Sequence, residues 1–257
     1  MSRFFVAGDA VDIVNGRITI TGEDVKHIRS VLRNAPGDKL EISDGAGTDF
    51  ITAVEWIEKD AVVVKIMDSK PNKTEPPIDI TLFQGIPKAD KMDFIIQKCI
   101  ELGVNRIVPV MTARTVVRFE NTRDASAKAA RWQRIASEAA KQCDRGIIPL
   151  VAEPVRFFDA LKLAGSSRLK LIPYEEETEG SLRFQLERVK TENDTGNGRQ
   201  RIEIAVFVGP EGGFTPEEVS KAVENGFKSV TLGPRILRTE TAGLAVISII
   251  GYELGDV

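Results

Sequence analysis

The chain has 257 residues, 42% of them hydrophobic and 28% charged, with a formal net charge of −3. This balance excludes a disordered chain, and the length supports one large domain or two unequal ones. Two cysteines and one histidine exclude a disulfide framework and a Cys- or His-rich metal centre, and a Ser-His-Asp triad would have to recruit His27.

At the N-terminus, Asp9 and Asp12 interrupt the apolar start too early for a secretory segment. Phe4–Val6, Gly16–Ile20, Lys39–Ile42, Phe50–Ile57 and Ala61–Ile66 are short apolar runs split by turn signals, and predict strands. Glu23–Leu32 predicts one helix, with His27, Ile28, Val31 and Leu32 at helical spacing. A small barrel-like domain over 1–72 follows, closed by the polar, proline-bearing linker Ser69–Pro77.

Beyond the linker the texture changes to alternating strands and helices. Strands are expected at Ile78–Gln84, Arg106–Met111, Leu169–Pro173, Ile202–Val208 and Ser229–Leu232. Helices are expected at Asp90–Leu102, Asp124–Gln142, Phe157–Ala164, Pro216–Asn225 and Thr241–Leu254, and Thr191–Gln200 reads as an exposed loop. On the second of these helices, Asp124–Gln142, Trp132, Ile135 and Ala139 are spaced for burial. Such alternation implies an α/β domain over 73–257 with a mostly parallel sheet. Its most apolar late stretch, Ala242–Ile250, is too short to span a membrane, so a cytoplasmic protein with reduced cysteines is expected.

Two runs carry chemistry. In IEIAVFVGPEGGF (202–214) a buried strand ends in glycines, and Thr215, Pro216 and Glu218 then spell a capping box. Glycines at the carboxyl end of such a strand let a ligand approach the backbone. The run is neither a P-loop nor a dinucleotide fingerprint, and taken alone it is equally a tight turn. In VTLGPRILRTETA (230–242), Arg235 and Arg238 bracket the apolar Ile236 and Leu237, again between a strand and a helix. Together the two loops favour a ligand crevice. Charge adds a local signal: residues 1–70 hold nine Lys/Arg against twelve Asp/Glu, whereas 86–145 hold twelve against seven. A basic excess of that kind marks either a polyanion-binding face or a solvated helix surface.

GPEGGF (209–214) and LGPRILRTETA (232–242) resemble the signature of the SPOUT-class bacterial ribosomal RNA small subunit methyltransferase E family. HIRSVLRNAPGD (27–38), DGAGTDF (44–50), QGIPKADKMDFIIQKCIELGVNRIVPV (84–110) and RWQRIASEAAKQCDRGIIP (131–149) extend the likeness along most of the chain. One departure is Cys143, where a serine is frequent.

The resemblance implies a PUA-like β-barrel followed by a SPOUT domain with a deep trefoil knot within about 202–257. It implies methylation of uridine N3 in 16S ribosomal RNA of the small subunit, with S-adenosylmethionine as cofactor and no metal. By position the cofactor would lie on Leu171 and Pro173, on Gly209, Pro210, Glu211, Gly212 and Gly213, and on Leu232, Gly233, Ile236, Leu237, Arg238, Glu240, Thr241 and Ala242. Candidate catalytic residues are Arg238, Glu211 and Arg3. Arg238 is assigned to stabilise negative charge on the base, and no proton acceptor is singled out. Candidate RNA contacts are Arg3, His27, Arg29, Arg33, Lys88, Lys91, Gln142 and Arg145. A homodimer is expected, with the apolar LAVISIIGYEL (244–254) serving both core and interface. A non-catalytic RNA-binding or ribosome-assembly protein, and a SPOUT methyltransferase with another RNA target, are the alternatives.

Overall fold

A computed structural model describes residues 2–117, 119, 121–194 and 201–256. The chain forms two compact units, one of Met1–Glu75 with Ala140–Ile148, the other of Pro76–Ala139 with Pro149–Val257.

The first unit is built on a six-stranded, barrel-like sheet in the order β1-β4-β5-β6-β3-β2, where β1 is Arg3–Phe5, β2 Val11–Asp12, β3 Arg17–Thr21, β4 Lys39–Ser43, β5 Thr48–Ile57 and β6 Ala61–Pro71. Only β1 with β4 is parallel. Register shifts between Ile51 and Thr52 and between Val54 and Trp56 bend the long β5–β6 ribbon. Alternate residues point inward, so Ile18 and Ile20, Leu40 and Ile42, and Val62 and Val64 meet Phe4, Phe50 and Val54 in one core.

Two expectations are corrected here. Ser69, Lys70 and Pro71 are not linker but the end of β6, paired with Phe50, Asp49 and Thr48. The helix expected at Glu23–Leu32 is a single α turn, α1 (Glu23–Lys26), continued by a π turn over His27–Val31. The wider turn carries Leu32 N–H to the His27 carbonyl and leaves Arg33 at φ +57. It also rotates the apolar stripe, so that Ile28 is buried while Val31 is 67% exposed.

Residues 140–148, expected in the second domain, pack with the first unit. The Arg3 guanidinium donates to the Arg145 carbonyl, Ser43 Oγ to the Gly146 carbonyl and Thr74 Oγ1 to the Asp144 carbonyl. The Arg145 guanidinium, in turn, grips Glu75.

The second unit holds a fully parallel sheet in the order β10-β8-β7-β12-β11-β13, with β9 beside β8. Its strands are β7 (Ile78–Gly85), β8 (Arg106–Met111), β9 (Leu150–Val151), β10 (Val155–Arg156), β11 (Leu169–Pro173), β12 (Ile202–Val208) and β13 (Lys228–Val230). In β12 every residue except Glu203 is buried, as a central parallel strand covered on both faces requires. Phe83 and Phe207 stack across β7 and β12 at 4.6 Å, and Phe157, Phe214 and Phe227 close around Phe207.

The helices are α2 (Lys91–Glu101), α3 (Thr122–Gln142), α4 (Phe157–Leu163), α5 (Leu182–Asp194), α6 (Pro216–Glu224) and α7 (Thr239–Leu254). On α3, Trp132 and Ala139 are buried and Ile135 is half-buried. α5 was not foreseen: its stripe of Leu182, Leu186 and Val189 is narrow in a polar stretch, and residues 191–194, expected as loop, are its last turn. The rest of that expected loop, 195–200, lies outside the described residues. α7 begins at Thr239, two residues before the expected start, because Arg238 already has extended N-cap geometry. Among the described residues no helix is long and apolar enough to cross a membrane, and no three metal-ligating side chains cluster.

Candidate active site

Every strand of a parallel sheet ends at the same edge, so the loops after β11, β12 and β13 leave together there. They enclose a cleft of about 820 Å³. One wall is Pro173, Tyr174, Glu175, Glu177 and Thr178; the floor is Val208, Gly209, Pro210, Glu211, Gly213 and Phe214; the other wall runs from Thr231 to Thr239 and includes Ala242. Lys91 enters from the start of α2.

Several devices hold the Gly209–Gly213 loop. Gly213, at φ +66, donates its N–H to the Pro210 carbonyl, and a Cβ there would collide with the Glu175 carboxylate. Thr215 caps α6 in a full capping box: its Oγ1 accepts Glu218 N–H at 3.2 Å, and Glu218 Oε2 accepts Thr215 N–H at 3.0 Å. The other Glu218 oxygen accepts Ala113 N–H at 2.8 Å, and Arg114 donates to the Gly212 carbonyl at 2.6 Å.

Glu211 accepts the Lys88 backbone N–H and pairs with Lys91 Nζ at 3.2 Å, while Lys91 also reaches Glu240 at 3.3 Å. Burial pushes the Glu211 carboxyl up, but its own backbone N–H, Lys91 and the Lys88 N–H together pull it below the ordinary glutamate range. A carboxylate held this way stays ionised and is a weak base, so Glu211 serves as a clamp on the loop. Tyr174 is pushed the other way, up to about 12, by burial and by the carboxylates of Glu176 and Glu175, so its phenol stays protonated. The Glu177 carboxylate folds back onto the N–H groups of Glu179 and Gly180 and is lowered by them. Glu175, by contrast, makes no hydrogen bond or ion pair among the described residues.

Most of the expected cofactor residues meet at this cleft: Pro173, Gly209, Pro210, Glu211, Gly213, Leu232, Gly233, Ile236, Leu237, Arg238 and Ala242 line it. Leu171 lies lower, buried in β11, and Gly212, Glu240 and Thr241 stand beside the lining rather than in it. Arg235 and Arg238 are exposed on the lip, make no ion pair among the described residues, and flank Ile236, which is 86% exposed.

Arg3 and Arg145 depart from expectation. Arg3 is 6% exposed in the first unit, bound to Glu41 at 3.1 Å, to Asp49 at 2.5 Å and to the Arg145 carbonyl, so it is neither in the cleft nor open to a phosphate. Arg145 is likewise buried against Glu75 at 2.7 Å. Both are structural cations, because a guanidinium this desolvated is held by its carboxylates. His27, Arg29, Arg33, Lys88 and Gln142 are exposed; the His27 ring edge meets Phe4 at 5.9 Å, and Arg29 donates to the Lys59 carbonyl. Glu175, Glu177 and Thr178 escaped the reading of the sequence, and Thr239 lay inside the run 232–242 without being singled out. The first three directly follow the strand end at Pro173, and that position was their one available signal.

Comparison with known proteins matches residues 74–251 to the model of an RNA methyltransferase domain and residues 20–67 to that of an RNA methyltransferase PUA domain. The chain is 32% identical over 254 residues to the ribosomal RNA small subunit methyltransferase E of Bacillus subtilis, covering 98% of this chain and 97% of that one. Its structure superposes on that of ribosomal RNA small subunit methyltransferase E from Neisseria gonorrhoeae bound to S-adenosyl methionine, with a TM-score of 0.81, 34% identity and coverage of 98% and 97%. A methyltransferase from Legionella pneumophila, solved in complex with the same cofactor, gives a TM-score of 0.82 at 30% identity, covering 97% and 96%.

Proposed function

The chain belongs to the RNA methyltransferase family that these relatives represent, and from that premise we propose that it methylates N3 of a specific uridine in 16S ribosomal RNA of the small ribosomal subunit, using S-adenosylmethionine. The observation that carries this reading is the cleft of about 820 Å³ enclosed by three strand-end loops, on a fold shared with a relative bound to that cofactor.

The residues present fit the cofactor. Gly209 and Gly213 keep side chains out of the floor, Pro173, Leu232, Leu237 and Ala242 offer apolar walls for an adenine, and the unpaired Glu175 carboxylate complements a cationic ligand. When bound, the cofactor supplies an activated methyl group.

The chain's own residues do the rest. Arg238, unpaired at the N-terminus of α7, stabilises negative charge that develops on the uracil as N3 loses its proton. Glu211 keeps the floor in place through Lys88 and Lys91. The Watson–Crick edge must be free, so the target uridine is unpaired or flipped out. His27, Arg29, Arg33, Lys88, Lys91 and Gln142 remain the candidate RNA contacts.

Three further readings belong here. The first unit is taken as the PUA-like RNA-binding domain and the second as the catalytic one. A trefoil knot is inferred at 202–257, supported by the return of the chain from the edge strand β13 to α7, which packs on α2 and the central strands β7 and β12. A homodimer is inferred, supported by the exposed Phe94, Phe184, Ile249 and Tyr252 on α2, α5 and α7, and a cytoplasmic location is inferred from the ribosomal RNA named in the relatives' activity. The test of activity is labelled S-adenosylmethionine with small subunits from a strain lacking this gene, mapped by mass spectrometry. Label on one uridine at N3 is the expected result; no label together with no cofactor binding by calorimetry would overturn the enzyme reading.

A further inference from the structure

Gln84 sits at the end of β7, directly beneath the cleft, with none of its surface exposed. Its amide nitrogen faces the Gly85 carbonyl at 2.9 Å and Thr239 Oγ1 at 3.0 Å, and lies 3.5 Å from the Gly209 carbonyl. Two carbonyls on that side require the nitrogen there rather than the oxygen. Thr239 Oγ1 accepts from Gln84 and donates to the Gly209 carbonyl at 2.6 Å. The result is a one-way chain of hydrogen bonds from strand to helix α7 to the glycine loop, joining segments 125 and 155 residues away along the sequence.

The cost of this arrangement is visible. Gln84 Oε1 is buried with no hydrogen-bond partner among the described residues. An orphaned buried acceptor is destabilising, and an apolar side chain of the same length would remove it. Packing alone therefore does not account for a glutamine here. Next to it, Gly85 leaves room for Gly209 and Pro210, since a Cβ at Gly85 would stand 2.5 Å from Pro210 Cδ and 2.7 Å from Pro210 N. The end of β7 is thus shaped to receive the loop and equipped to hold it.

We propose that Gln84 is a positioning residue, whose buried amide acts through Thr239 to keep the Gly209 loop and the N-terminus of α7 in the register that binds the cofactor. This rests on the methyltransferase reading. The test compares the parent with Gln84→Met, Thr239→Val, Thr239→Ser and the Gln84→Met/Thr239→Val double variant. S-adenosylmethionine affinity is measured by calorimetry, ligand-free melting by scanning calorimetry, and kcat and KM on small subunits. Gln84→Met and Thr239→Val are expected to weaken cofactor binding about tenfold each, because both remove the Gln84–Thr239 hydrogen bond that links strand to helix. The double variant should be no worse than either single one, Thr239→Ser should bind like the parent, and Gln84→Met should melt no lower than the parent. Parent-like affinity in both Gln84→Met and Thr239→Val, or additive losses in the double variant, would overturn the proposal. If Gln84→Met does not fold, parent-like affinity in Thr239→Val alone overturns it. A parent protein that binds no cofactor would instead overturn the reading beneath it.

Discussion

Replacing Gly85 by alanine adds one methyl group at a contact between two pieces of backbone. Gly85 has no left-handed φ, so alanine meets no conformational penalty of its own. The new Cβ would nonetheless lie 2.5 Å from Pro210 Cδ, 2.7 Å from Pro210 N and 3.0 Å from the Gly209 carbonyl carbon. Carbon atoms rest about 3.5–4.0 Å apart, so the loop must retreat by about 1 Å. Two of these three atoms are backbone, so no side chain can swing aside to absorb the shift. Overpacking of this kind costs about 1–3 kcal/mol, and a misplacement of about 1 Å in a binding site lowers productive binding by up to about a hundredfold. We expect Gly85→Ala to fold, to melt several degrees lower, and to bind S-adenosylmethionine at least about tenfold more weakly. Calorimetric titration and scanning calorimetry measure both. A variant that melts lower but binds with parental affinity would refute the claim that this contact positions the loop.

Arg145→Ala should destabilise the first unit by about 3–5 kcal/mol, because it leaves Glu75 half-enclosed without its cation; urea unfolding reads the loss. Arg238→Ala should lower single-turnover methyl transfer about a hundredfold while the melting temperature stays unchanged, since the side chain is exposed and unpaired. The depressed Glu211 carboxyl predicts a pH effect of definite sign. Its clamp contributes in full above its unfolded value of 4.5 and fades as the pH falls through the lower folded value, so Glu211→Gln should flatten the acid limb of the stability curve and leave it parallel to the parent's near neutrality.

Local pattern carried much of this protein. The all-apolar β12, the alternating strands of the first unit, the buried face of α2 and the capping box of α6 are each encoded within one or two turns or strands, so they are legible residue by residue. GPEGGF and RILRTETA were legible as strand-end loops for the same reason, and the strand-end rule for parallel sheets placed the cleft between them. What stayed hidden depends on partners far along the chain. Nothing local distinguishes Arg3, buried by Asp49 and Glu41, from an arginine free to meet RNA. The π turn after α1 depends on how Ile28 packs in the core of the first unit, and residues 140–148 join that unit through groups far along the chain, among them Arg3, Asp24, Ser43, Thr74 and Glu75. Gln84 reads as a stray polar residue until β7, Thr239 and Gly209 converge. The sequence by itself determined the elements and the chemistry of the two loops; the tertiary structure alone decided which charges are buried and which polar groups meet, because desolvation and hydrogen bonding act between atoms adjacent in space, whatever their separation along the chain.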